Sequence, residues 1–329
     1  MATYKEIKGT QIEAVATDPS NPVEGQVWYN TTSNVLKGFK ILAAGSWATT
    51  NSLNDSRNGV AGAGTGNTAN LAFGGSSPPY TGNTESWNGT NWTEVADLNT
   101  SRETLAGMGV ATAALAAGGY GPPPTDVKDA TEIWNGTSWT EVNDLNQARY
   151  VTTGAGTTTA GLVYTGYEPG GSTNKTELWN GTNWTEVNDL AVARSVGAGA
   201  GIQTSALFMG GETDPGAHPT NCESFNGTNW TQVNDINTAR KALSGTGTDN
   251  TAALISGGRN PPTNYANTES WNGSNWTEVA DLNTTRYALG GAGNSNTAAI
   301  SFGGLTPPRT AASEQWNGAG PVTITFTDS

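Results

Sequence analysis

The chain has 329 residues, rich in Gly (44), Pro (15) and Trp (12), with a single His and a single Cys. Fifteen basic against 28 acidic residues leave a formal net charge of −13, and no Lys/Arg cluster stands ready to neutralise a run of phosphates, so direct nucleic-acid binding is not expected. One cysteine excludes an internal disulfide, and the shortage of Leu, Glu and Lys argues against long helices and for many short strands joined by turns.

The opening "MATYKEIKGTQIEAV" lacks the apolar core of a signal peptide, and no stretch approaches the length of apolar residues that spans a bilayer, so membrane insertion has no support. Residues 1–26 contain the turn-rich break "TDPSNP" and too little apolar area for a core. They read as an arm ordered mainly by contact with another chain, with Tyr4, Ile7 and Ile12 as attachment residues, joined by Trp28 and Tyr29. The stretch "GQVWYNTTSNVLKGF" reads as a hairpin with Trp28 and Tyr29 on its first strand and Leu36 and Phe39 on its second.

Next comes a repeat. "WNGTNWTEVADLNTSR" at residues 87–102 returns from Trp134, Trp179, Phe225 and Trp271. Its second Trp aligns Trp47, Trp92, Trp139, Trp184, Trp230 and Trp276 at spacings of 45 to 47. Between these anchors run Gly/Ala-rich segments such as "GAGTGNTANLAFGG", ending in apolar residues and, in five copies of six, a diglycine. Each period thus holds four short strands, and a four-stranded unit repeated radially is a blade of a β-propeller. The glycines suit the crowded axis, and the indoles suit the wider gaps between blades.

The fold class is therefore all-β: a six-bladed propeller over residues 27–329, preceded by a short extended arm and hairpin. Its closing blade is shared between the two chain ends. The Trp47 strand has no complete blade before it, and the unit beginning near Tyr287 has no Trp-bearing fourth strand. The tail "PVTITF" alternates Val322, Ile324 and Phe326 with Thr, and is the alternative closing strand or a fifth strand; the Trp47 strand is the favoured closure.

Several repeated residues have two readings. Each unit ends in an arginine, Arg57, Arg102, Arg149, Arg194, Arg240 and Arg286, and carries a glutamate, Glu85, Glu132, Glu177, Glu223, Glu269 and Glu314. Six-fold recurrence points to Arg–carboxylate or Arg–backbone ties within the scaffold, with a functional anion ring as the alternative. The Asn-x-Thr sequons at Asn88 and Asn91 read as hairpin-turn residues, because Asn-Gly between two aromatic strands is a turn signal in its own right. "GAGTGN" resembles part of a phosphate loop but precedes a strand and has no following Lys.

The strands that would line the axis hold one charged residue, Asp249, so the two convergent carboxylates of a glycoside hydrolase are missing there. His218 alone makes no histidine-rich metal site and is expected to be exposed in a turn-rich loop; no enzyme activity and no cofactor are expected. What differs between units is the connection after each apolar strand. Tyr80, Tyr120, Tyr167 and Tyr265, with His218 and Arg309, make these connections candidate recognition loops, all emerging on one face.

Apolar residues, a diglycine, then an aromatic followed by Trp resemble the kelch pattern across roughly residues 45–320, although the aromatic pair is closer than usual and Phe225 replaces one Trp. "NPVEGQVWYNTTSNVLKGF" ahead of "SWATTNSLNDSRNGVAGAGTGNTANLAFGG" resembles the repeat-containing virion structural and tail-fibre-like proteins of marine tailed bacteriophages. That resemblance implies a non-enzymatic virion component, assembled in the bacterial host cytoplasm and present in several copies. Its arm would bind other virion proteins of the tail or an adaptor, and its loop face would meet a host-surface glycan, a protein or a neighbouring subunit. A sialidase-like propeller enzyme and a cellular kelch-type interaction scaffold are the alternatives.

Overall fold

In the computed structural model the described residues are 12–19, 25–42, 45–123, 126–293, 295–318 and 320–326, and all their regular structure is β. The chain divides into two compact units, Met1–Gly45 with Asn317–Ser329, and Ser46–Trp316.

The larger unit is built on six four-stranded antiparallel sheets, consistent with a six-bladed propeller-like repeat. The first blade comprises Ala61–Gly64, Asn70–Phe73, Thr84–Trp87 and Trp92–Val95. Its registers set Ala63 beside Leu71, Ala72 beside Glu85 and Trp87 beside Trp92. The next four blades begin at Ala106–Val110, Thr153–Gly156, Ala198–Ile202 and Ser244–Asp249. The sixth joins Gly290–Ala292, Ala298–Phe302 and Ser313–Asn317 to Ser46–Thr50. Trp47 therefore lies on the closing strand. The "PVTITF" segment takes neither place considered for it: Gly320–Phe326 pairs antiparallel with Val35–Leu42 in the smaller unit.

The first strands of the blades neighbour one another in cyclic order, the sixth beside the first. Their glycines answer to that approach, since a Cβ on Gly107 would sit 2.7 Å from the carbonyl oxygen of Gly62 in the preceding blade. Just before these strands lie Gly59, Thr104, Val151, Val196, Ala242 and Ala288, all in the left-handed region with φ between 45° and 64°. Five of the six steps between them are backbone hydrogen bonds. Thr104 N–H donates to Gly59 (2.8 Å), Val196 to Val151 (3.3 Å), Ala242 to Val196 (2.7 Å), Ala288 to Ala242 (2.8 Å) and Gly59 to Ala288 (2.9 Å). A left-handed L-residue costs roughly 1–2 kcal/mol, and these bonds offset that cost at Thr104, Val196, Ala242 and Ala288, each of which donates one.

The indoles hold blades together. On the fourth strand, Trp92 Nε1 donates to Ser313 Oγ (3.1 Å), Trp139 to Thr84 Oγ1 (3.1 Å), Trp184 to Thr131 (3.1 Å), Trp230 to Thr176 (3.0 Å) and Trp47 to Thr268 (2.9 Å), each reaching the preceding blade. The sixth, Trp276, faces the blade in which Cys222 occupies the hydroxyl position, and its buried N–H has no partner. The sequon asparagines are structural here: Asn88 Oδ1 accepts from the N–H groups of Thr90 and Asn91 (both 2.9 Å), and Asn91 Oδ1 accepts from Asn51 Nδ2 (2.7 Å).

The repeated Arg and Glu form six buried ion pairs. Arg57–Glu85, Arg194–Glu223 and Arg286–Glu314 lie at 2.8 Å, Arg240–Glu269 at 2.6 Å and Arg102–Glu132 at 3.2 Å, and Arg149 pairs with Glu177. The second carboxylate oxygen accepts from backbone, as in Asn54 N–H to Glu85 Oε2 at 2.8 Å. Burial pulls the Arg57 and Arg286 guanidinium pKa down while the facing glutamates pull it back up. All six arginine side chains are 0% exposed, so they tie strands together and present no face to an external anion.

In the smaller unit, Glu13–Val15 runs parallel to Trp28–Asn30, and Val27–Asn30 pairs antiparallel with Val35–Leu42, which sets Tyr29 beside Leu36 in the expected hairpin. Asp18 accepts from Trp28 Nε1 (3.0 Å), Asn30 Nδ2 (2.7 Å) and Lys37 Nζ (2.7 Å), and these donors hold its pKa down at about 2. The described part of the expected arm is thus ordered by its own chain, through a strand pairing and a carboxylate clasp. Trp28 is fully buried, while Tyr29 and Ile12 are 37% and 51% exposed; Tyr4 and Ile7 lie outside the described residues.

Candidate functional site

Every blade sends two connections to the same end of the sheets: the one carrying the repeated Arg, and the one after the apolar strand. They meet in isolated bridges, Asn58 with Ser76, Glu103 with Tyr120, Tyr150 with Tyr167, Ser195 with Glu212, Lys241 with Arg259 and Tyr287 with Leu305. These residues directly follow the repeated Arg and the diglycine, or its broken copy. The framework positions before them are the same in every blade; these twelve are not. Ten of the twelve are half-buried, with Ser76 and Ser195 buried.

Side-chain contacts cross every junction between blades on this face, and after the first two they differ from one junction to the next. Tyr80 meets Tyr120 edge-on with centroids 5.6 Å apart, and Tyr120 meets Tyr150 at 5.1 Å, the next step being Tyr150 to Tyr167 at 5.5 Å. Between the third and fourth blades, Ser172 N–H donates to Asp214 (2.6 Å), and the Ser172 and Ser195 hydroxyls lie 3.2 Å apart. Between the fourth and fifth, Lys241 Nζ donates to Glu212 (2.7 Å) and His218 Nδ1 lies 2.9 Å from Asn260 Oδ1. Arg259 sits over the Tyr287 ring at 4.3 Å, and Arg309 Nε donates to Asn58 Oδ1 (2.6 Å), completing the circuit. Burial pushes the Glu103 carboxyl pKa up, against the opposing pull of Arg309.

A depression of about 470 Å³ opens between the third and fourth blades, walled by Tyr150 and Tyr167 on one side and by Glu212 and Asp214 on the other. Its floor is Val151 and Val196 of the left-handed ring.

Of the residues singled out from sequence, Tyr80, Tyr120 and Tyr167 come together in one aromatic ladder. Arg309 bridges the sixth blade to the first. Tyr265 is half-buried in a loop of the same face, its N–H bonded to Gly258 O at 2.9 Å. His218 departs from its expected exposure: its side chain is 14% exposed, wedged between Asn260 and Glu212. Sequence reasoning passed over Tyr150, Glu103, Glu212, Lys241, Arg259 and Tyr287. Their signal was present as the first non-repeating residue after a repeated Arg, diglycine or broken copy.

Among the described residues, no group of three or more His, Cys, Asp or Glu side chains is arranged to hold a metal ion. Compared with known proteins, the chain matches no family model and no curated relative.

Proposed function

We propose that this is a non-enzymatic binding protein of a tailed-bacteriophage virion. The larger unit is a kelch-like propeller that presents its non-repeating face to a host surface or a neighbouring subunit, and the smaller unit is its mount on the tail or another virion protein. The observation that carries the binding reading is the contrast between an invariant scaffold and twelve non-repeating residues gathered on one face. Scaffold packing explains why Arg, Glu and Trp repeat; it does not require that the residues beside them differ, and variable residues on a rigid frame are the usual equipment of recognition. The kelch-like assignment is supported by the order of diglycine, aromatic and Trp within each blade. The virion assignment is supported by the resemblance of "GQVWYNTTSNVLKGF" and the stretch after it.

Proteomics of purified virions should find the chain, and purified protein added in excess should compete with virions for adsorption to host cells or for assembly onto tails. A Lys241→Ala, Tyr287→Ala double variant that folds normally should compete less well. Absence from virions would refute the virion reading, and undiminished competition by face variants would refute the binding face.

A further inference from the structure

We propose that the depression between the third and fourth blades, with the tyrosine ladder leading into it, binds a linear neutral oligosaccharide of pyranose sugars. This rests on reading the face as a recognition surface and names its ligand class. The ladder runs Tyr80, Tyr120, Tyr150, Tyr167 in steps of 5.6, 5.1 and 5.5 Å, with adjacent rings inclined by 68°, 55° and 58°. At those angles no ring lies flat on its neighbour, so each half-buried ring keeps part of its surface for a ligand. Mutual contact also fixes the rings beforehand, which lowers the ordering cost of binding.

The polar wall has the matching character. Asp214 is positioned by the Ser172 N–H (2.6 Å), Glu212 is held by Lys241 (2.7 Å) with His218 Nε2 at 3.6 Å, and the Ser195 hydroxyl is paired with Ser172. These are oriented donors and acceptors whose charge is largely compensated locally. An anionic ligand would face Glu212 and Asp214 on a chain of net charge −13, and a cationic one would meet Lys241 already seated on Glu212. A wholly apolar ligand would strip water from the carboxylates without replacing it. A pyranose satisfies both walls, its C–H face against the tyrosines and its hydroxyls toward Glu212, Asp214 and Ser195. The volume of about 470 Å³ is in the range of small-molecule sites, and the ladder continues outward from it, which favours a chain of sugars over a monosaccharide.

The full chain should be titrated calorimetrically with cellohexaose, maltohexaose, laminarihexaose and chitohexaose. At least one should bind with one site per chain. Tyr150→Ala should weaken it by about tenfold or more, Tyr150→Phe should keep it, and Ile202→Ala, an exposed residue at the far end of the fourth blade's first strand, should leave it unchanged. If Tyr150→Ala does not fold, Tyr120→Ala serves in its place, with a smaller loss expected. Binding to none of the four, or binding indifferent to the ladder variants, overturns the proposal. Should the sugars fail while Tyr150→Ala still impairs competition for adsorption or assembly, the ligand is of another class and the recognition face stands. If competition is also unaffected, both readings fall.

Discussion

Cys222 is the residue at which the repeat breaks its own rule. In five blades a Thr or Ser hydroxyl receives the indole N–H of the next blade's Trp, but here a thiol stands in that place, hydrogen-bonded to Thr220 O at 3.7 Å, and Trp276 Nε1 is left buried without a partner. Cys222→Thr should therefore stabilise the protein by about 1 kcal/mol in denaturant titration, the net worth of a regained buried hydrogen bond. Unchanged stability would show that the indole is already satisfied. Burial pushes the Cys222 thiol pKa up to about 12, which makes it a packing residue and not a nucleophile. Asp18 shows the opposite behaviour. Its donors hold the folded pKa at about 2, below the ordinary 3.8, so its contribution is complete above the unfolded value and is lost as pH falls through the folded one. The Trp28 indole N–H resonance should report the clasp opening around the folded value of about 2, and Asp18→Asn should abolish that pH dependence.

Each blade is closed by two devices of different chemistry, and each can be tested alone. Trp184 is 6% exposed and packs in a cluster with Leu115, Val163 and Trp179, so Trp184→Ala should cost roughly 3–5 kcal/mol, the usual loss on emptying an aromatic core site. Glu177→Gln keeps the shape but leaves the Arg149 guanidinium buried and unpaired, and should cost about 3–5 kcal/mol by denaturant titration. A loss below about 1 kcal/mol in either case would mean that the group is solvated in solution. These elements were legible because the sequence states them six times: the Trp, Arg and Glu periods, the strand order and the Asn-Gly turns all follow from the spacing. The left-handed residues Thr104, Val151, Val196, Ala242 and Ala288 were not legible, since their types have no left-handed preference and the conformation goes with hydrogen bonds to neighbouring blades. The tyrosine ladder escaped for a similar reason. Tyr120 and Tyr150 are thirty residues apart on different connections, and no periodicity marks them as partners.

For the whole molecule, the strand that closes the sixth blade is Ser46–Thr50, whereas Gly320–Phe326 belongs with Val35–Leu42. Sequence pattern favoured the Trp47 strand but kept the alternating tail as an alternative, and pairing geometry separates them. Deleting residues 320–329 should hold the principal melting transition within about 2 °C, while deleting residues 1–50 should lower it by about 10 °C or more, since an aromatic-bearing strand is lost. Equal melting of the two truncations would return the closing role to the tail. The contacts on the non-repeating face carry a further consequence. Six near-identical blades could in principle join in the wrong order, or admit a blade from a second chain, because the scaffold alone scarcely distinguishes one neighbour from another. The junctions differ in chemistry: tyrosine on tyrosine at the first two, then aspartate on a backbone amide, lysine on glutamate, arginine over tyrosine, and arginine on asparagine. Such contacts act as keys, of which only the tyrosine pair serves two locks. The residues free to change for a new ligand are then the same residues that give each blade its address, so retargeting the face works against the fidelity of its own assembly.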